Sequence, residues 1–320
     1  MSRLDSDALR TWIEEQTSRH LFSGVALVRS GGETLFEHAA GVAHRGHRVP
    51  VTVETRFQVA SVTKMITAAT ALKMVEEGAL SLDRPLSGYL PPDHRPVSLD
   101  DRHTLHHLLS HTSGLPNYHD DADETWVSFM GALDRIPASR ARGPLDVLPL
   151  FADLPAVDDF GEFRYCDANY VLTGVLIEWV SGRSFKEVAR EKVLDPAGMT
   201  RSGFEELDLE PEGYATGYVV TDEPADTWRS NIYGLTASAM PDGGMTTTAH
   251  DLDRFMEGLR EGRVLSKKTV DSMLTVHGAD EEESYGYGME LVLEKDSVAI
   301  YGHSGLDPGV TAVVSHYVVD

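Results

Sequence analysis

Two short stretches of this chain carry side chains that could do covalent chemistry. In 60-ASVTKM-65 a serine, Ser61, precedes a lysine, Lys64, by three residues. An extended run meets a helical pattern there, so the hydroxyl can sit at a helix N-terminus with the amine one turn later on the same face. Such a pair can deprotonate a serine nucleophile, and the helix dipole favours the negative charge that develops. The second stretch, 164-RYCDANYVL-172, holds the only cysteine, Cys166, between Tyr165 and Asp167. A cysteine nucleophile needs a base and a lowered pKa. The adjacent Asp167 carboxylate would raise that pKa, and Ser61 already fills the role. A third stretch, 103-HTLHHLLSH-111, would place His103, His107 and His111 along one helical stripe, as zinc ligands can be. No cysteine joins them, although the acids of 120-DDADE-124 lie nearby. The reading is surface histidines with no metal.

These residues need elements to position them. Residues 5–19 read as an amphipathic helix with Leu9, Trp12 and Ile13 on one side. The runs 24–30 and 33–42, joined by Gly31-Gly32, read as a β-hairpin. Helices are predicted over 62–78 and 169–182, each closing on a glycine. Residues 116–160 are polar and rich in Pro and Asp, and read as loops with short helices. Strands return at 285–295, 297–305 and 310–319. The fold class is therefore α/β (α+β-like), with an antiparallel sheet built from both termini, flanked by helices, and an inserted helical lobe. The expected division is one domain over 1–320, with an α/β lobe of about 1–60 plus 245–320 and a helical lobe of about 61–244.

Composition narrows the partners. The 28 Lys and Arg stand against 51 Asp and Glu, a net charge of -23 over 320 residues. That charge repels polyanions, so neither nucleic acid nor an anionic membrane is expected as a partner. One cysteine makes no internal disulfide. The charged N-terminus has no apolar core of signal-peptide length, so the chain as written reads as cytoplasmic.

Several blocks then combine. They are 55-TRFQVASVTKMITAAT-70, 76-EEGALSLDRPLSGYLP-91, 105-LHHLLSHTSGLP-116, 163-FRYCDANYVLTGVLIE-178, 243-GGMTTTAHDLDRF-255 and 301-YGHSGLDPG-309. In this order, over about residues 20–317, the chain resembles the serine β-lactamase-like hydrolases: class C β-lactamases, D-Ala-D-Ala carboxypeptidases and related esterases. The resemblance implies the β-lactamase/transpeptidase-like fold, with Ser61 acylated, Lys64 its base and Tyr165 sharing in proton transfer. It implies an oxyanion hole from the backbone N–H groups of Ser61 and Leu306. His303, Ser304 and Gly305 would stand at the third motif, on the substrate side with Asp167, and His111 would be structural. No cofactor is implied. The partner is a small-molecule ester or amide, and a homo-oligomer is compatible with the family.

Two departures from the family pattern matter. Asp167 stands where the Tyr-x-Asn motif carries an amide. A carboxylate close to Lys64 would stabilise its protonated form and repel a substrate carboxylate. His303 replaces a permanent cation by a titratable one. Both favour an ester or neutral amide over acidic β-lactams and peptide C-termini. The expected function is thus an esterase-like serine hydrolase, with a D-peptidase or β-lactamase second and an acyltransferase third. The competing class is a non-catalytic binding or assembly module with the same fold. The second departure is the tail, where one central strand and a closing helix of the family fold are expected to be missing. The expectation is that the chain is truncated, or that another segment or subunit fills the slot.

Overall fold

A computed structural model describes residues 4–119, 131, 133–157, 159–221 and 227–318. Helix α1 (Ser6–Ser18) starts at Asp5, whose side chain accepts from the Ala8 N–H. Only Ile13 of its apolar residues is buried; Trp12, expected beside it, is exposed. A single packed residue suffices because α1 lies on one strand of a two-stranded hairpin. That hairpin joins β1 (Gly24–Ser30) to β2 (Glu33–Ala40) through Gly31 and Gly32. Both glycines have positive φ, as a two-residue hairpin turn of this twist requires.

Helix α2 (Thr63–Glu76) is buried on nearly every side, from Thr63 through Leu72. It packs against α3 (Asp167–Ser181), whose residues Ala168–Ile177 are also all buried. A helix apolar all round can only be central, and these two form the heart of the core. Each ends at the glycine expected: Gly78 at φ 75° and Gly182 at φ 67°. Helix α4 (Ala249–Arg260) is strongly one-sided instead, burying Leu252, Phe255, Met256 and Leu259.

The C-terminal region forms a five-stranded antiparallel sheet. Its strands are β3 (Gly278–Ala279), β4 (Ser284–Tyr285), β5 (Glu290–Glu294), β6 (Ser297–Asp307) and β7 (Val310–Tyr317), in spatial order β7-β6-β5-β4-β3. The hairpin and this sheet come from the two ends of the chain, as expected, yet β1 and β7 are not hydrogen-bonded to each other. Instead both line a groove of about 1150 Å³. No described strand lies between them.

The histidine stripe does not form. The helix there spans only Leu105–Leu109, and His111 beyond it adopts φ 58°. His103 Nε2 meets the Ser113 carbonyl at 2.9 Å, and His107 Nδ1 meets the Thr104 hydroxyl at 2.9 Å. The acids of 120–124 lie outside the described residues.

Candidate active site

The turn holding Ser61 is built by constraint from both sides. A two-residue strand, Phe57–Gln58, pairs with Thr246–Thr247, and the Val59 N–H donates to the Met245 carbonyl at 3.0 Å. A 3-10 turn over Ala60–Val62 then feeds α2. Ala60 is forced to φ 45°, a conformation that costs a non-glycine residue on the order of 1 kcal/mol. It is held there by donation from Thr63 Oγ1 and from the Gly244 N–H to its carbonyl. Strand β6 closes on the same turn. A Cβ on Gly305 would lie 2.4 Å from the Val59 carbonyl oxygen and 3.1 Å from the Ser61 nitrogen, so only glycine permits this approach.

At the floor, Lys64 is fully buried, and its Nζ donates to Ser61 Oγ at 2.9 Å and to the Asp242 carbonyl at 2.8 Å. Its ammonium also lies 2.5 Å from Asp167 Oδ1. Burial alone would lower the Lys64 pKa. The negative charge of Asp167 above all, with that of Asp242, outweighs burial and holds it above its ordinary value. Asp167 answers in kind: burial would raise it, but Lys64 and His119 draw it well below the usual carboxylate range. His119 Nε2 sits 2.6 Å from Asp167 Oδ2, so one carboxylate bridges a lysine and a histidine.

The ring centroid of Tyr165 is 4.9 Å from Lys64 Nζ. Burial raises its phenol above the ordinary value, while Lys64 and Ser61 pull it back. His111 sets its position. The ring of His111 lies 4.3 Å from that of Tyr165, tilted by 31°, its Nδ1 accepts from the Cys166 N–H at 3.1 Å, and its carbonyl accepts from the Arg164 N–H at 2.9 Å. Burial holds His111 neutral, far below the usual histidine pKa. Cys166 is 1 % exposed, with Sγ 3.5 Å from the Leu115 carbonyl, and does not line the cavity.

Above this floor opens a cavity of about 730 Å³, lined by Ser61, Tyr165, Asp167, Ser304, Gly305 and Leu306 among others. Strand β6 turns into β7 through Pro308-Gly309, and Asp307 pairs with Val310. Leu306, the residue expected to share the oxyanion hole with Ser61, pairs with Thr311 in this register and lines the cavity. His303 behaves differently from its expected placement on the substrate side. Its side chain is buried, with Nε2 2.7 Å from the Tyr285 hydroxyl and Nδ1 3.2 Å from Glu290 Oε1. Burial pushes it down to about 4 despite Glu290, so it is neutral at pH 7. Ser304 also faces Glu290, donating from Oγ at 2.7 Å and from N at 3.0 Å.

Sequence reasoning passed over Tyr118, His119, Asp242, Glu290 and Asp307, all of which line the cavity. Asp242 immediately precedes the quoted Gly-Gly block, and Asp307 lies within the quoted block 301–309, next to Leu306. Tyr118 and His119 lie in a loop with no motif at all.

A sequence model described as Beta-lactamase matches residues 9–317. Penicillin-binding protein 4 of Amycolatopsis lactamdurans is 32% identical over 332 residues, which cover 95% of this chain and 78% of that protein. Esterase EstB of Burkholderia gladioli is 34% identical over 204 residues, 62% of this chain and 51% of the esterase. Among solved structures, a penicillin binding protein from Bacillus halodurans superposes with a TM-score of 0.86 at 32% identity, covering 95% of this chain and 91% of that one.

Proposed function

We propose that this chain, which belongs to the Beta-lactamase family and is a serine hydrolase, uses Ser61 as its nucleophile and acts on esters or amides of small molecules, esters foremost. The observation that carries the assignment is the 2.9 Å contact between Lys64 Nζ and Ser61 Oγ at the floor of an open cavity. In this reading Ser61 Oγ attacks the substrate carbonyl carbon as its proton passes to neutral Lys64. The tetrahedral oxygen is held by the N–H groups of Ser61 and Leu306. Collapse forms the acyl-Ser61 ester and expels the alcohol or amine, which takes up a proton by way of Lys64 and Tyr165. Water then cleaves the acyl-enzyme and restores the Ser61 hydroxyl.

The preference for esters rests on the second motif. Because Asp167 holds Lys64 as an ammonium, only a small fraction of the protein carries the competent base at neutral pH. A base present in so small a fraction suits activated or ester carbonyls better than amides. The described cavity lining also carries five carboxylates and no lysine or arginine, which disfavours acidic substrates such as β-lactams and peptide C-termini. The match to an esterase over part of the chain agrees with this. The test is a fluorophosphonate probe with mass mapping, followed by steady-state rates on p-nitrophenyl esters and on penicillins. Labelling on Ser61 that vanishes in Ser61→Ala is expected, with esters hydrolysed faster. Labelling elsewhere refutes the assignment, and faster penicillin hydrolysis refutes the ester preference.

A further inference from the structure

Along the His303-Ser304-Gly305 corner of the cavity, the hydrogens of Ser304 already have a partner, and that partner is a carboxylate. Glu290 opens β5 and stands opposite Gly302 in the β5–β6 register. Gly302 offers no side chain, and Ser304 is two places on, the diagonal position that a long side chain reaches in an antiparallel pair. Glu290 uses that reach. Its Oε1 accepts from Ser304 Oγ at 2.7 Å, and its Oε2 accepts from the Ser304 N–H at 3.0 Å. His303 adds to the same grip from the buried side. Its Nδ1 lies 2.5 Å from the Ser304 carbonyl and 3.2 Å from Glu290 Oε1. Both are acceptors, so Nδ1 carries the ring hydrogen, and Nε2 accepts from the Tyr285 hydroxyl at 2.7 Å.

This corner faces the substrate. Ser304 is exposed and the Glu290 side chain is 38 % exposed, both in the wall of the cavity that holds Ser61. Gly305, the next residue, comes so near that a Cβ there would stand 3.1 Å from the Ser61 nitrogen. A carbonyl carbon meeting Ser61 Oγ is thus within about one residue's length, 3.8 Å along the strand, of Ser304. What the neighbouring group of the substrate finds there is set by the hydrogens. The Ser304 hydroxyl and N–H both point at Glu290, which leaves lone pairs of Ser304 Oγ and of the carboxylate toward the cavity. The described lining holds no lysine or arginine, and the buried Lys64 ammonium at the floor is engaged by Asp167. A carboxylate entering this corner meets acceptors and a like charge, whereas an N–H or a hydroxyl meets partners.

Resting on the assignment of Ser61 as nucleophile, we propose that Glu290 is the specificity-determining residue of this site. By holding Ser304 it makes the corner an anionic wall of acceptors. The substrate class is an ester or amide whose flank beside the scissile carbonyl carries an uncharged hydrogen-bond donor, a carboxamide or a hydroxyl, and no carboxylate.

The experiment compares three p-nitrophenyl esters of adipic acid on the full chain at pH 7.5, with fluorophosphonate labelling of Ser61 followed in parallel. They differ only at the far end, which is a free carboxylate, a primary amide or a methyl ester. Wild type should turn over the amide fastest, with a kcat/KM at least about thirty-fold above that of the acid. That ratio should fall about ten-fold in Glu290→Gln, and at least as far in Glu290→Ala, which also frees the Ser304 hydroxyl and N–H. Glu283→Gln removes the same charge from the same lining, on the segment leading into β4, and should move the ratio less than about three-fold. An acid or a methyl ester turned over as fast as the amide by wild type, with Ser61 labelled, overturns the substrate class and leaves the serine hydrolase standing. An unmoved ratio in either Glu290 variant that melts like wild type, or an equal fall in Glu283→Gln, overturns the role of Glu290. Absence of Ser61 labelling overturns both readings. The wild-type comparison of the three esters decides by itself if neither Glu290 variant folds.

Discussion

Replacing Asp167 by Asn should leave more of Lys64 in its neutral, base-competent form at neutral pH, the reverse of what mutating an active-site carboxylate usually does. The pair is in direct contact at 2.5 Å, with Lys64 wholly buried and the Asp167 side chain 14 % exposed. At an effective dielectric near 20 the Coulomb attraction at that distance has an upper bound of about 7 kcal/mol. Asp167 divides its charge with His119, so a smaller share reaches the lysine. One opposite charge in contact typically moves a pKa by about 1–3 units. A fall of about two units, or about 3 kcal/mol, is the working expectation. The loss of Asp167 would bring the Lys64 pKa back toward its ordinary 10.5.

The assay is the pH dependence of kcat/KM on a p-nitrophenyl ester between pH 5 and 10. Activity that needs neutral Lys64 rises about ten-fold per pH unit below its pKa and then levels. Wild type should still be rising at pH 10. Asp167→Asn should show a rising limb displaced about two units lower and be faster than wild type at pH 7. A melting curve beside each profile separates this from the instability of breaking a buried ion pair. An Asn variant whose rising limb overlays that of wild type would refute the reasoning. A loss of rate with an unmoved limb would instead make the Lys64–Asp167–His119 chain the route of the proton.

Three further outcomes follow from the same geometry. Asp307 titrates above its unfolded value, near 7 against 3.8, so it adds stability below pH 3.8 and loses that contribution as pH rises through 7. Asp307→Asn should therefore stabilise the protein at pH 8 by on the order of 2 kcal/mol, after discounting for solvent, and not at pH 4; melting temperatures at the two pH values decide. Gly305→Ala puts a Cβ 2.4 Å from the Val59 carbonyl, so β6 must retreat from Ser61 and loosen the oxyanion site; kcat on esters should fall about 100-fold, and an unchanged kcat would contradict the placement. His111→Leu strands the Cys166 N–H and removes the ring under Tyr165, which should cost about 1–3 kcal/mol by denaturant titration.

What was legible in the chain followed from local periodicity. Ser61 and Lys64 are one helical turn apart, and a turn of helix is readable wherever the pattern is clean. Asp167 was legible through the family resemblance instead, as the residue standing where the Tyr-x-Asn motif carries an amide. Tyr118 was not, because its contact with Asp242 joins residues 124 apart, nor was His119, 48 residues from Asp167. His303 shows a subtler limit. Its strand was readable, but the choice between cavity and core depends on Tyr285 and Glu290, which reach it from neighbouring strands. The histidine stripe failed for a related reason: a helix of five residues cannot carry a repeat of eight, and local partners took each ring instead.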